Sequence, residues 1–216
     1  ELPDKNAAAH RVIANGKALR VLGYSVVFFD STRECNKFKG RLSPIQEFEG
    51  FSYYSTSYPR AFKEWVNYSS NITIYKEYMD RHANEIAGII LYNHFSLATI
   101  KFIRYCKRHN IPVLADCTEW YHHKKSNFIG LIKWMDSELR MRILNKKNAG
   151  IIVISQYLKN YYGSSLPTFS LPPLVDCSES KWNKPKEYLR NECMTVVYAG
   201  SPGRKDMLDN LIEAVA

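Results

Sequence analysis

The chain has 216 residues, enough for one large domain or for one domain and part of another. With 45% apolar and 24% charged residues it has the balance of a folded globular protein, which excludes a disordered or linker-like chain, and no apolar run is long enough for a membrane-spanning helix. The 30 Lys and Arg exceed the 21 Asp and Glu, and the resulting net charge of +9 favours anionic partners: nucleic acid, acidic lipid or phosphorylated small molecules.

Residues 7–22 are rich in helix formers and run into Gly23, which predicts a helix and its stop. Residues 25–30 form a short run of β-formers, a buried strand. Helix, glycine turn and strand make half of a βαβ unit, so a strand is expected ahead of the helix, within about ten residues lost at the front. Residues 31–85 are irregular and rich in Tyr, Ser and Arg. They predict helices over 62–68 and 74–84, within a surface excursion carrying a short hairpin or a substrate-facing insertion.

A strict alternation follows: strand 87–92, helix 96–109, strand 111–116, long amphipathic helix 128–147, strand 150–155, helix 156–162 and strand 168–171. It predicts an α/β fold with a Rossmann-like, doubly wound parallel sheet. Residues 176–192 are polar and read as a linker. Residues 194–200 then predict a new strand, followed by a glycine-containing loop and a helix over 206–216, the first βα unit of a second Rossmann-like domain. The expected boundaries are 1–175, 176–192 and 193–216. The five cysteines, Cys35, Cys106, Cys117, Cys177 and Cys193, are odd in number and have no CxxC spacing. They read as reduced thiols in a cytoplasmic protein, not as a disulfide framework or zinc site.

Open parallel sheets bind ligands at the carboxyl ends of their strands. The predicted strands deliver Asn93 and His94, then Asp116 with Thr118 and Glu119, then Ser155, and last Ser201, Arg204 and Lys205 to such edges. A neutral imidazole at His94 can orient a hydroxyl or a phosphate, or simply cap the strand. Asp116 and Glu119 suit sugar hydroxyls or general-base work; the plainer alternative is a turn cap and a helix start. Asp116, Glu119, His122 and His123 match no common ligand spacing, so no metal is expected. Residues 201–206 lie between a predicted strand and helix, where backbone N–H groups and the Arg204–Lys205 pair would attract a diphosphate; a solvated turn is the alternative. Neither GxGxxG nor GxxxxGK[ST] occurs, which argues against dehydrogenase and P-loop chemistry.

Residues 124–147 carry Lys124, Lys125, Lys133, Arg140, Arg142, Lys146 and Lys147 against Asp136 and Glu138 alone. Phe128, Leu131, Ile132, Met135, Leu139 and Ile143 make an apolar stripe. The plainer expectation is a core-packed helix with a solvated basic face. The other is a basic helix resting on an acidic membrane surface.

Taken in order, several segments resemble family-4 glycosyltransferases of the GT-B fold. They are residues 3–12 and 22–26, Asn93-His94, residues 149–155, 171–176 and 197–206. The resemblance implies two Rossmann-like domains facing across a cleft, with the acceptor on the N-terminal one and a nucleotide-sugar donor on the C-terminal one. It implies transfer with retention, and no metal or other cofactor. By position, His94 would be the catalytic contact to the transferred sugar, and Arg204, Lys205 and Ser201 would hold the donor diphosphate. Asn6 and Ala7 would line the first loop near the donor, with Asp116 and Glu119 as acceptor-side candidates. Asn6-Ala7 stands where the family often has Gly-Gly, Pro173-Leu174 replaces Asn-Gly, and Asp206 replaces a Gly. The family's later Glu-x7-Glu donor motif would lie beyond Ala216. The expectation is a glycosyltransferase fragment, inactive alone, from an enzyme that moves a sugar from a nucleotide-diphosphate sugar to a glycan or lipid-linked acceptor. It would be cytoplasmic, peripheral on the inner membrane face, with no nucleic acid as partner. The alternative from another class is a non-catalytic Rossmann-like ligand-binding module.

Overall fold

The computed structural model of the protein describes residues 2–3, 5–33, 38, 40–120, 127–182, 197–199 and 207–215. Asn6 starts the first helix, α1 (Ala7–Val21): its side-chain oxygen accepts from the Ala9 N–H at 2.9 Å. Gly23, at φ 89°, turns the chain out of the helix in a conformation that a side chain would disfavour.

Two sheets follow. β1 (Val27–Thr32) runs parallel to β3 (Phe51–Ser57), and β2 (Gln46–Phe48) lies antiparallel on the other edge of β3. The β2–β3 hairpin closes through Glu49 and Gly50, both at positive φ (49° and 74°), the primed turn whose twist suits two antiparallel strands. Helices α2 (Phe62–Ser70) and α3 (Thr73–His82) lead into the second sheet. There β4 (Ile89–Tyr92), β5 (Val113–Cys117), β6 (Gly150–Val153) and β7 (Thr168–Ser170) are all parallel, in that order. Each crossover is helical: α4 (Ser96–Arg108), α5 (Phe128–Leu139) and α6 (Gln156–Tyr162). This is the expected α/β, Rossmann-like arrangement.

The cores follow the two-residue period of the strands. Val113, on β5, joins Ala98, Phe102 and Cys106 of α4 and Met79 of α3. Ala115 and Cys117, two and four residues on, join Ile151 and Val153 of β6 and Leu158 and Tyr162 of α6. Asp116 falls between them in the alternation and meets α1 instead. A third cluster joins Ile13 of α1 to Phe28 and Phe51. Its tightest contact is Gly16, where an added Cβ would lie 2.5 Å from the Phe28 ring, so the close approach of helix and strand requires a glycine.

Some boundaries move. The β5 ladder starts at Val113 and not at residue 111, because Pro112 has no N–H and contributes only its carbonyl, to Ile89 at 2.9 Å. The predicted helix over 128–147 is not uniform: α5 passes into a π turn at Arg140–Leu144 and a 3₁₀ turn at Asn145–Lys147. Among the described residues, no helix is long and apolar enough to cross a membrane.

The chain divides into two compact units, Glu1–Asp176 and Cys177–Ala216. The second contains a 3₁₀ turn at Ser180–Trp182 and α7 (Leu208–Val215), none of whose residues is buried. Of the strand expected over 194–200, residues 197–199 are described, and they belong to no regular element.

Candidate functional site

Asp116 lies near the carboxyl end of β5 and is 2% exposed. Arg11 and Asn15, four residues apart and so on one face of α1, both reach it. The Arg11 Nε donates to the two carboxylate oxygens at 3.2 and 3.0 Å, its Nη2 donates to Oδ1 at 2.7 Å, and the Asn15 Nδ2 donates to Oδ2 at 3.1 Å. A third guanidinium nitrogen donates to the Leu171 carbonyl, just past β7. This corrects the reading of Asp116 as an acceptor contact or base. Its oxygens are occupied, and it is sealed from solvent. It anchors α1 across the sheet. A buried carboxylate survives only when paired in this way.

The neighbouring β4 ends differently. Asn93 follows it at φ 45°, a left-handed conformation that Asn tolerates, and donates from Nδ2 to the Thr118 hydroxyl at 2.9 Å. The turn is held from below by Arg140, whose Nη1 donates to the carbonyls of Asn93 and His94 at 2.8 and 3.3 Å. Arg140 is buried, which corrects its assignment to a solvated basic face. It opens the π turn, whose wider winding departs from the spacing of the helix before it. Asn145 and Asn148 are buried beside it. Asn145 and Asn148 were not singled out from the sequence; the available signal was this pair next to an apolar run.

His94 packs edge-on against Phe102 and Tyr75, with ring centroids 5.4 and 6.4 Å away. Its Nε2 is shielded from solvent and has no hydrogen-bond partner. Burial, and secondarily the Arg140 charge, lower its pKa to about 4, so the ring is neutral at physiological pH. It can donate or accept a hydrogen bond but is a poor proton acceptor. The cavity among Asn93, His94, Thr99, Asp116 and Arg140 measures about 10 Å³, the room of a single water. A ligand larger than that meets His94 only if the ring turns towards the strand ends.

A roomier cavity, about 70 Å³, opens where β3 ends. Thr56, Ser57, Glu64, Asn67 and Asn71 give it polar walls, with Tyr68 and Tyr75 beside them. Burial raises the pKa of both tyrosines, which stay protonated. Tyr75 meets His94 edge-on from here, and Tyr68 meets Phe95 at 5.8 Å. It lies in the region read as a hairpin-bearing excursion or substrate-facing insertion.

The remaining expectations separate. Asn6 caps α1, and Ala7 is its first residue; both are exposed. Glu119 is exposed just beyond β5. Ser155 caps α6, accepting from the Leu158 N–H at 3.4 Å. Ser201, Arg204, Lys205, His122 and His123 lie outside the described residues. Among the described residues no group of three or more His, Cys, Asp or Glu side chains converges on a possible metal position. Cys106 and Cys117 are buried free thiols whose pKa burial pushes up to about 11, which makes them unreactive.

No protein-family model, curated protein or solved structure matches this chain.

Proposed function

We propose that the chain is the acceptor-side part of a retaining glycosyltransferase, which moves a sugar from a nucleotide-diphosphate sugar to a glycan or lipid-linked acceptor. The observation that carries the reading is His94. A neutral imidazole stands at the carboxyl end of a parallel strand with a hydrogen-bonding nitrogen left unpartnered. Burying such an atom unpaired is unfavourable by about 1–3 kcal/mol, and a ligand hydroxyl would relieve it.

In this reading the His94 ring turns towards the strand ends and donates or accepts a hydrogen bond at a hydroxyl of the transferred sugar; in its buried position it is neutral. Positive charge developing on the sugar ring meets no cationic imidazole. As the resemblance implies, Arg204, Lys205 and Ser201 would compensate the departing diphosphate, with Asn6 and Ala7 as further donor-side residues. The acceptor falls to the cavity at the end of β3 and not to Asp116: its hydroxyl, amide and Glu64 carboxylate walls beside tyrosine faces suit a polyol. Glu64 is the acidic group in that cavity, and Glu119, exposed beyond β5, is a second acidic candidate on the acceptor side.

The test uses the full natural protein that bears this sequence. It is incubated with UDP- and GDP-sugars and a panel of glycan and lipid-linked acceptors, and nucleotide diphosphate release is followed. His94→Ala should lower kcat about 100-fold, the effect of losing one transition-state hydrogen bond, with little change in acceptor KM. Asn67→Ala should raise acceptor KM instead. Undiminished turnover in an R204A/K205A variant would sink the diphosphate assignment. Glycan binding without turnover on any donor would mean a non-catalytic binding module.

A further inference from the structure

Helix α5 is amphipathic the wrong way round for a core helix. Of its residues only Ser137 is buried. Its inward contacts are polar: Asp136 accepts from the Ser96 N–H at 2.8 Å through Oδ1, and its carbonyl accepts from the Ser96 hydroxyl at 2.6 Å. Phe128, Leu131, Ile132 and Met135 follow the i, i+3, i+4, i+7 spacing of one face. Ser137 comes roughly two and a half turns after Phe128, on the opposite side. Phe128 is 73% exposed, Met135 57% and Ile132 45%, and Ile129 beside them 60%. The apolar stripe therefore points outward, contrary to the core-packed expectation. Ile143, in the π turn, is exposed as well.

The charges along this segment favour one occupant. Its two acids are engaged: Asp136 on the start of α4, and Glu138 in an ion pair with Arg142. Lys133 and Lys147 are exposed, and Lys146 lies over the Tyr161 ring at 4.6 Å. An apolar ridge on a chain of net charge +9, with the segment's own two acids engaged, matches an anionic bilayer surface, with apolar side chains among the acyl chains. A second copy is a poorer fit, because it carries the same +9 charge. We infer that α5 is a membrane-docking helix that lies in the plane of an anionic lipid surface and inserts Phe128, Ile129, Ile132 and Met135. This goes beyond the proposed activity and does not depend on it.

The experiment is vesicle co-sedimentation of the full natural protein, with phosphatidylcholine vesicles containing a quarter phosphatidylglycerol and with phosphatidylcholine alone. Binding to the anionic vesicles is expected. It should fall at least tenfold in Phe128→Ser/Ile132→Ser, and severalfold in the wild type as salt is raised from low to about 0.5 M. Circular dichroism spectra and melting temperatures should match the wild type, since the side chains are exposed. A Phe128→Trp variant should shift its emission to the blue on anionic vesicles and be quenched by brominated acyl chains. No binding at low salt would overturn the inference. So would equal binding by the serine double variant, which means charge adsorption alone. A dimer that the serine variant dissociates, without lipid binding, would give the face to a second copy.

Discussion

The shell around Asp116 and the outer face of α5 break the same rule in opposite directions. Beneath the ends of β4 and β5, Arg11, Asn15, Asp116 and Arg140 are all buried, and the carboxylate is paired on both oxygens. Along α5, Phe128, Ile129 and Met135 are mostly open. The first region is largely paired: among the described residues every donor to the Asp116 carboxylate comes from α1, and the Arg11 guanidinium also ties down the chain after β7. The second is open, with its polar side spent on α4 and its apolar side left over. A closed polar cluster holds elements together, whereas an open apolar stripe awaits something to cover it.

Breaking the closed region should have the largest effect. Asp116→Ala leaves the Arg11 guanidinium, 7% exposed, without its carboxylate, and should destabilise by about 3–5 kcal/mol in urea unfolding. The double variant Arg11→Met/Asp116→Leu should recover much of that loss, since a packed apolar pair can replace a buried ion pair. Recovery of nothing would mean that the apolar pair does not pack there, with the Asn15 amide left without its carboxylate.

The next effect is one of pH. His94 in the folded protein titrates near 4, below its ordinary 6.5, so between those values the unfolded chain takes up the proton first. Stability should be flat above pH 6.5 and fall as the pH drops from 6.5 towards 4, by about 2–3 kcal/mol in all. Thermal melts of wild type and His94→Asn across that range check it, with the asparagine variant losing this dependence.

Gly16→Ala tests local crowding. Alanine favours a helix interior by about 1 kcal/mol, but its Cβ would meet the Phe28 ring at 2.5 Å. Overpacking should dominate, giving a net loss of about 1–2 kcal/mol, and Phe28→Leu should relieve part of it. The smallest effect belongs to α5. Met135→Gln should change stability by less than about 0.5 kcal/mol, because the side chain already faces solvent. A large loss there would mean that the stripe is packed after all.

Much of the architecture was legible from periodicity. The alternation of apolar runs and helical segments predicted the parallel strands and their crossovers, and Gly23 marked the end of α1. Errors of one or two residues arose where a ladder depends on a partner, as at Pro112. His94 was legible as a polar residue at a strand end, and its position after β4 held. The character of the charged residues was not legible. Arg140 looked like one more member of a basic face, but it shares the inward side of α5 with Ser137, three residues earlier, and reaches the carbonyls after β4. Asp116 looked available until α1 met it.

The sequence by itself determined which segments are helix or strand, because backbone propensity and apolar period act over a few neighbouring residues. It also determined that the sheet is parallel, because helical crossovers leave little other choice. Only the tertiary structure decided which side of each element is inside. Arg11 lies more than a hundred residues from Asp116, and no local pattern records that separation. An apolar stripe has the same sequence whether it faces a core or a bilayer. For α5 the deciding fact was that its polar side was already needed at the start of α4.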